Sequence, residues 1–207
     1  MRVSAEDDRA LLQRWREGDR EAGGALVDRH FRALRRFFRN KVSSEAEADD
    51  LLQRTFIGCV EGIVRFREDA GFRTWMFAVA HNVLRDWFRE QRRFGSVAFE
   101  SASLVDLGAG PSTALAHHRD QKRLLEALRR IPFDSQVVLE LYFWEQLEAR
   151  EIGVVMDMPV GTVRSRIRRA KAELKVAAQS LCGSGVEAET TIENIEEWAK
   201  RVREGWD

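Results

Sequence analysis

The sequence PVGTVRSRIRRAK, at residues 159–171, decides the fold class of this chain. When the segment is continued to Leu181, its apolar residues recur at alternating steps of three and four, which is the spacing of one stripe on an α-helix. The stripe consists of Val160, Val163, Ile167, Ala170, Leu174, Ala177 and Leu181. The segment therefore predicts a helix with one buried face.

The opposite face of this predicted helix is basic. It carries Ser165, Arg168 and Arg169, with Thr162 and Arg164 nearer its edge. Residues 164–175 hold six positive side chains and one negative one, a net charge of +5 over about three turns. Arginine forks suit phosphate oxygens and guanine edges alike, so the pattern favours binding of a polyanion over a merely solvated basic face.

A shorter helix is predicted immediately before the basic one. Ile152 and Val155 form an apolar pair within residues 148–155, Asp157 tolerates the left-handed backbone region, and Pro159 suits a first helical turn. Together these features predict a helix-turn-helix whose second helix reads the major groove; the alternative is a structural helical hairpin. Gly153 is expected to loosen the first helix by about 1 kcal/mol relative to alanine.

The composition restricts the function classes. The 34 basic and 34 acidic residues cancel, so nucleic-acid binding has to come from a local patch or from a partner that presents the DNA. The two cysteines, Cys59 and Cys182, are far apart and lack metal-ligand spacing, so we predict no disulfide framework, metal site or cofactor. Since no apolar run approaches the roughly 20 residues of a membrane span, a cytoplasmic protein without membrane insertion is expected.

The order of the patterns predicts an all-α protein with two helical domains. The first domain is assigned to residues 1–94, with Asp19 as the cap of its second helix. A linker rich in glycine and serine occupies residues 95–118, and the helix-turn-helix domain occupies residues 119–182. Residues 183–207 form an acidic C-terminal extension with a net charge of −4, in which apolar spacing predicts a short helix.

Residues 72–93 mix aromatic rings with arginines, as a platform for single-stranded nucleic acid would. Large apolar side chains are more often buried, however. We therefore interpret the outward polar residues Asn82 and Arg85 as contact candidates, and we assign to the core Trp75, Phe77, Val79, Leu84 and Phe88.

Four short motifs, in order, resemble the sigma-70 family of bacterial RNA polymerase initiation factors. They are GDREA at 18–22, ADDLLQRTF at 48–56, FRTWMFAVAHN at 72–82 and PVGTVRSRIRRA at 159–170. Their spacing is similar to that of the small extracytoplasmic-function (ECF) group, which has two structured domains. The resemblance implies a factor that binds core RNA polymerase and directs it to promoters, with no catalytic residues of its own.

The resemblance also implies roles for individual residues. The polymerase-binding candidates are Asp49, Asp50, Gln53, Thr55 and Phe56. The minus-ten element, whose flipped base must be stacked and read on its edge, would meet Phe66, Asn82 and Arg85. The minus-thirty-five duplex would meet Thr162, Arg164, Ser165, Arg168 and Arg169. The family often has a large apolar residue where Gly23 stands and a tryptophan near Val60, and these departures bear on docking.

Two other function classes compete with this interpretation. An autonomous helix-turn-helix regulator would leave the aromatic first half unexplained and would bind duplex DNA in a salt-sensitive way without polymerase. An enzyme could be built on His81, His117 and His118 near Asp86 and Asp120, but no motif orders these groups. A further hypothesis is that the acidic extension folds back on the basic helix or binds a regulator such as an anti-sigma factor.

Overall fold

The computed structural model describes residues 5–42, 44–91 and 119–181, and every element in these ranges is a helix, which confirms the all-α prediction. The predicted linker and acidic extension, with its C-terminal helix, lie outside the described residues. None of the described helices has both the length and the apolar composition needed to cross a bilayer. The helices are α1 (Ala5–Arg16), α2 (Arg20–Arg39), α3 (Glu45–Gly62), a 3₁₀ turn (Ile63–Arg65), α4 (Phe72–Gln91), α5 (Arg119–Arg130), α6 (Phe133–Phe143), α7 (Ala149–Met156) and α8 (Val160–Leu181).

Polar side chains fix the starts of α2 and α3 in the first domain, which comprises α1 to α4. The Asp19 carboxylate accepts hydrogen bonds from the backbone N–H groups of Glu21 and Ala22 at 3.0 and 3.1 Å, as the sequence predicted. Ser44 and Glu47 form a reciprocal capping box at the start of α3. These contacts satisfy amide groups that have no partner inside the helix.

Gly23, in the first turn of α2, makes room for Trp15 of α1. A Cβ atom at position 23 would lie 2.7 Å from the indole ring, closer than any carbon contact allows. The indole in turn meets the edge of the Phe72 ring at 6.2 Å between centroids. The absence of a large side chain at position 23 is therefore balanced by a large one at position 15.

The second domain comprises α5 to α8 and contains the predicted helix-turn-helix. Helix α7 ends at Met156 and is followed by Asp157, which has the left-handed backbone expected from the sequence (φ 51°). Helix α8 then runs for 22 residues, ending at Leu181 as predicted. Its buried residues are Val163, Ile167, Ala170, Leu174 and Ala178. The predicted stripe is thus buried from Val163 to Leu174, whereas Val160, Ala177 and Leu181 are half-buried and Ala178, outside the prediction, is buried.

The two domains pack against each other through α4 and α7, and through the start of α6. Phe133 is completely buried. It stacks on His81 with 6.3 Å between ring centroids and meets Phe88 edge to face at 5.5 Å. The hydroxyl of Thr74 donates to Glu151 of α7 at 3.0 Å. One continuous core therefore runs through both domains in the free chain.

Charged side chains cross the same interface. Lys41, fully buried two residues after the end of α2, pairs with Glu140 of α6. Glu145, only 4% exposed, accepts from Arg36 at 2.7 Å and also pairs with Arg73. Burial lowers the pKa of Lys41, although the Glu140 carboxylate opposes this effect. Since a buried charge is costly unless it is paired, these pairs fix how the domains meet.

His81 provides a pH-dependent contribution to this packing. Burial, together with the nearby positive charges of Arg85 and Lys41, lowers the pKa of His81 to about 4. In the unfolded chain His81 binds a proton below about pH 6.5, whereas in the folded chain it stays neutral down to about pH 4. The free energy of unfolding therefore falls as the pH drops from the unfolded pKa to the folded pKa of His81.

We expect the free energy of unfolding to drop by about 3 kcal/mol between pH 7 and pH 4 through His81 alone. Denaturant unfolding of the wild type and of His81→Phe at both pH values measures this contribution. The variant should lose much less stability on acidification. Equal losses in the two proteins would contradict the assignment.

Gly153, like Gly23, has no room for a side chain. This corrects the expectation, drawn from helix propensity alone, that alanine at this position would make α7 more stable. A Cβ atom there would lie 2.8 Å from the carbonyl oxygen of Met158, whose own N–H donates to the Gly153 carbonyl at 2.9 Å. The backbone of the turn therefore occupies the space that an alanine methyl group would need.

Helix propensity alone would raise the free energy of unfolding of Gly153→Ala by about 1 kcal/mol. We expect this increase not to occur. Gly153→Val should destabilise the domain by about 1–3 kcal/mol because the turn must move. Denaturant unfolding followed by circular dichroism checks both. A more stable Gly153→Ala protein would contradict the steric explanation.

Candidate nucleic-acid and protein interfaces

The basic face of α8 is open to solvent. All five residues predicted for the duplex are exposed: Thr162, Arg164, Ser165, Arg168 and Arg169. Four of them line a shallow groove together with Arg166 and Ala172. The structure therefore presents these side chains together at the surface, where the N-terminal turns of a recognition helix can enter the major groove.

Three of the six cations between residues 164 and 175 have partners within the domain, and one of them, the exposed Arg169, pairs with Glu173 of α8 at 3.3 Å. Arg166 pairs with Asp134 of α6. The Lys171 ammonium lies 4.7 Å from the centroid of the Tyr142 ring and 5.3 Å from that of Phe143. The sequence could not reveal these contacts because α6 is about 30 residues away along the chain. The charge available to DNA is thus concentrated on the N-terminal half of the helix.

The residues predicted for the minus-ten element do not share one environment. Asn82 is exposed on α4, on a different face from His81, which packs against the second domain. Arg85 is half-buried and lies close enough to His81 to affect its pKa. Asn82 is therefore the residue with direct access to a nucleic acid in this conformation.

Phe66 is not the open stacking surface that the prediction requires. Its side chain is 9% exposed, because its ring already stacks on Trp75 with 4.7 Å between centroids. Its carbonyl accepts a hydrogen bond from Arg16, which also pairs with Glu68 of the same loop. A base could stack on Phe66 only after displacing this contact, so Phe66 serves to hold the loop here.

An apolar groove of about 660 Å³ lies between α2 and α3. Three of the predicted polymerase-binding residues line it, namely Asp49, Gln53 and Phe56. The Phe56 ring stacks on Phe31 with 6.4 Å between centroids. The residues of this groove that sequence reasoning missed are Phe31, Arg35, Leu52, Ile57, Val60 and Glu61. Ile57 and Val60 could have been found, since they follow Gln53 by four and seven residues on one helix face.

Thr55 and Asp50 lie outside this groove. Thr55 is completely buried, and its hydroxyl donates to the Leu51 carbonyl at 2.8 Å. It therefore offers no contact surface in this conformation, and its assignment to the polymerase-binding set stays a prediction. Asp50 is exposed on another face of α3. A threonine that follows Gln53 and Arg54 looks accessible in sequence, but here it completes the buried stripe of the helix.

Of the groups that could have supported an enzyme, the described ranges include His81, buried against the second domain, and Asp86, exposed on α4. No group of three or more His, Cys, Asp or Glu residues is placed to hold a metal ion within those ranges. Burial raises the pKa of the Cys59 thiol to about 12, which leaves it protonated and unreactive. His117 and His118 lie outside the described residues.

Comparison with known proteins assigns the family. The model of sigma-70 region 2 matches residues 26–94, and the model of sigma-70 region 4 matches residues 121–174. The RNA polymerase sigma factor NccH of Alcaligenes xylosoxydans xylosoxydans is 32% identical over 84% of this chain and 95% of its own length. The chain belongs to the sigma-70 family. The ECF RNA polymerase sigma-E factor of Haemophilus influenzae is 28% identical over 84% of this sigma factor and 96% of its own length.

Two solved structures show the same architecture. CnrH, in complex with the cytosolic domain of CnrY, superimposes with a TM-score of 0.63 at 27% identity, covering 84% of this chain and 98% of CnrH. The sigma factor RpoE of Bartonella quintana, in complex with the anti-sigma factor NepR, has the same fold, with a TM-score of 0.53 at 20% identity, covering 71% of this chain and 90% of that one. The sigma-factor resemblance seen in the sequence is thereby confirmed.

The two kinds of arginine on α8 should respond differently to truncation. We expect Arg166→Ala to destabilise the protein by about 1–2 kcal/mol because Asp134, largely buried, loses a charged partner. Arg168→Ala should change stability by less than about 0.5 kcal/mol because the side chain is exposed. Denaturant unfolding of both variants distinguishes them, and equal stabilities would contradict a structural role for Arg166.

Proposed function

We propose that this ECF sigma factor reads the minus-thirty-five duplex with Thr162, Arg164, Ser165, Arg168 and Arg169. The observation that carries this assignment is their joint exposure on α8, while Arg166 and Lys171 are held by the domain. The arginines suit guanine edges, and Thr162 and Ser165 suit phosphate oxygens. With the chain neutral overall, the polymerase shares the electrostatic attraction of the DNA.

For the minus-ten element we propose Asn82 as the reader of an extruded base. The amide can pair with a base edge, and it is exposed on α4. Arg85 contributes charge beside it. The Phe66–Trp75 stack supports the loop at residues 66–71, which lies next to the start of α4.

For core polymerase we propose the groove between α2 and α3 as the docking surface. Its apolar floor, with Ile57 49% and Val60 55% exposed, is rimmed by Asp49, Arg35 and Glu61. An apolar groove with a charged rim fits an amphipathic helix of the polymerase. Val60 leaves space where the family often has a tryptophan. Asp50 would contact the polymerase outside the groove.

We propose that the protein acts in the cytoplasm as a binding factor without catalysis of its own. CnrH was solved in complex with the cytosolic domain of CnrY, and RpoE in complex with the anti-sigma factor NepR. An anti-sigma factor is the corresponding partner proposed for this chain. The acidic extension is available as an additional contact for such a regulator or for the basic helix.

The test is promoter-specific initiation. Purified protein is added to core RNA polymerase on promoter fragments from the same genome, and specific transcripts and open complexes are measured. Initiation that core alone does not support is the expected result. No association with core, together with tight salt-dependent duplex binding by the protein alone, would support an autonomous regulator instead.

Arg168→Ala tests the residue assignment in the same assay. We expect initiation to fall about tenfold or more on a promoter with an intact minus-thirty-five element, since one base-reading arginine contributes about 1–3 kcal/mol. Lys175→Ala is the matched control, because Lys175 is exposed on α8 outside the predicted set. If both variants behave alike, the assignment of Arg168 to base reading is wrong.

A further inference from the structure

Helix α1 lies outside the part of the chain that the sigma-70 region 2 model matches, since that match begins at residue 26. Its last residue, Arg16, nevertheless contacts the loop at residues 66–71, next to the start of α4. Arg16 and Phe66 are 50 residues apart along the chain. The family match therefore gives this contact no role.

All three nitrogen atoms of the Arg16 guanidinium donate to one short segment of the chain. Nε donates to the Ile63 carbonyl at 3.4 Å, one terminal nitrogen donates to the Phe66 carbonyl, and the other pairs with the Glu68 carboxylate. The guanidinium carbon also lies 5.6 Å from the centroid of the Phe66 ring. A planar guanidinium that is used at every nitrogen fixes the relative position of its partners more closely than a single ion pair would.

The loop has a backbone conformation that needs support. Glu68 lies in the left-handed region (φ 60°), which a residue other than glycine rarely adopts and which persists only where its surroundings hold it. Arg67, Glu68 and Asp69 are exposed, whereas Phe66 is buried in its stack on Trp75. The ion pair of Arg16 with Glu68 therefore ties the exposed part of the loop to the helices.

Arg16 is itself held in place, because α1 is fixed on α2 near both of its ends. Near the start of α1, the Asp8 carboxylate lies 2.9 Å from Nε2 of the buried His30. Near its end, Trp15 fills the space that Gly23 leaves open. The helix therefore presents the guanidinium to the loop in a defined position.

We propose that Arg16 is a positioning residue for the minus-ten element, which keeps the loop at residues 66–71 in the conformation that receives the extruded base. This inference rests on the proposed function, because the loop conformation matters to promoter binding only if this part of the chain binds the minus-ten strand. A loop that is already ordered loses less conformational entropy on binding than a loop that the ligand must order. Arg16 thus raises the affinity for the single strand without contacting it.

A direct contact between Arg16 and DNA is the competing explanation, and Glu68 distinguishes the two. If Arg16 bound a phosphate, the Glu68 carboxylate would compete with that phosphate, and neutralising Glu68 would strengthen DNA binding. If Arg16 positions the loop, Glu68 is the partner through which it acts, and neutralising Glu68 weakens DNA binding. The two explanations therefore predict changes of opposite sign.

The first experiment measures the order of the loop in the free, full-length protein. Trypsin cleaves after Arg67, which is exposed in the loop, and a more mobile loop is cleaved faster. Cleavage after Arg54, half-buried within α3, reports unfolding of the domain in the same sample. Mass spectrometry measures the initial rate at each site.

We expect Arg16→Gln and Glu68→Gln each to accelerate cleavage after Arg67 at least about fivefold, with the rate after Arg54 unchanged. Arg9→Gln is the matched control, since Arg9 is exposed on α1 about two turns before Arg16. Cleavage after Arg67 that does not respond to Arg16→Gln, or that rises only together with cleavage after Arg54, would overturn the positioning role.

The second experiment measures DNA binding by the complex with core polymerase, using fluorescence anisotropy. One probe is the single strand of a minus-ten element from a promoter found in the initiation assay, and the other is a duplex that holds only the minus-thirty-five element of that promoter. We expect Arg16→Gln and Glu68→Gln each to weaken binding of the single strand about fivefold or more. Binding of the duplex should change by less than about twofold, and Arg9→Gln should affect neither probe.

Three outcomes of the binding experiment are decisive. Tighter binding of the single strand by Glu68→Gln would overturn the proposal in favour of a direct contact between Arg16 and DNA. Equal losses for both probes in Arg16→Gln would also overturn it, because a general loss of folded protein weakens both. A wild-type complex that binds neither probe would instead count against the proposed function, while the cleavage rates still test whether Arg16 holds the loop.

Discussion

The carboxylate of Glu140 is the constraint on which the arrangement of this sigma factor depends. It is buried in the second domain, where Gln136 supplies one donor from the same helix and Lys41 supplies a charge from the other domain. Lys41 is itself held by the Phe37 carbonyl at 2.8 Å and lies 3.7 Å from the centroid of the Phe37 ring. Neither charge could be buried without the other, so the two domains fit in one register. The Arg129 guanidinium, which donates to the Asn40 carbonyl at 3.2 Å, reinforces that register.

The distribution of positive charge follows from the same need to pair what is buried. The basic helix contributes cations both to the domain and to the surface, and the difference lies in which face of α8 each residue occupies. Arg166 and Lys171 lie towards α6. Arg166 pairs with Asp134 there, and Lys171 contacts the rings of Tyr142 and Phe143. Arg164 and Arg168 lie on the exposed side. Only part of the +5 net charge of this helix is therefore exposed to a ligand. This is consistent with a factor that binds DNA together with polymerase.

Much of the local structure could be predicted from the sequence because periodicity and capping are local effects. The Asp19 cap, the left-handed Asp157 and the extent of α8 all follow from residues within a few positions of each other. Contacts between distant segments could not be predicted. Nothing near Thr55 or Phe66 in the sequence shows that the hydroxyl is used inside α3 or that the ring stacks on Trp75. For the same reason, propensity misjudged Gly153, whose neighbour Met158 approaches through a turn.

The exchange of volume between Gly23 and Trp15 has a consequence for how this chain can change over evolutionary time. With the indole in place, a methyl group at position 23 already collides. A large apolar residue there becomes acceptable only after the side chain at position 15 has become smaller. That order first leaves a cavity between α1 and α2, which lowers stability but causes no collision. The two positions are thus epistatic. A relative with a bulky residue at position 23 is reached from this chain through a less stable variant with a cavity at position 15, not through an overpacked one.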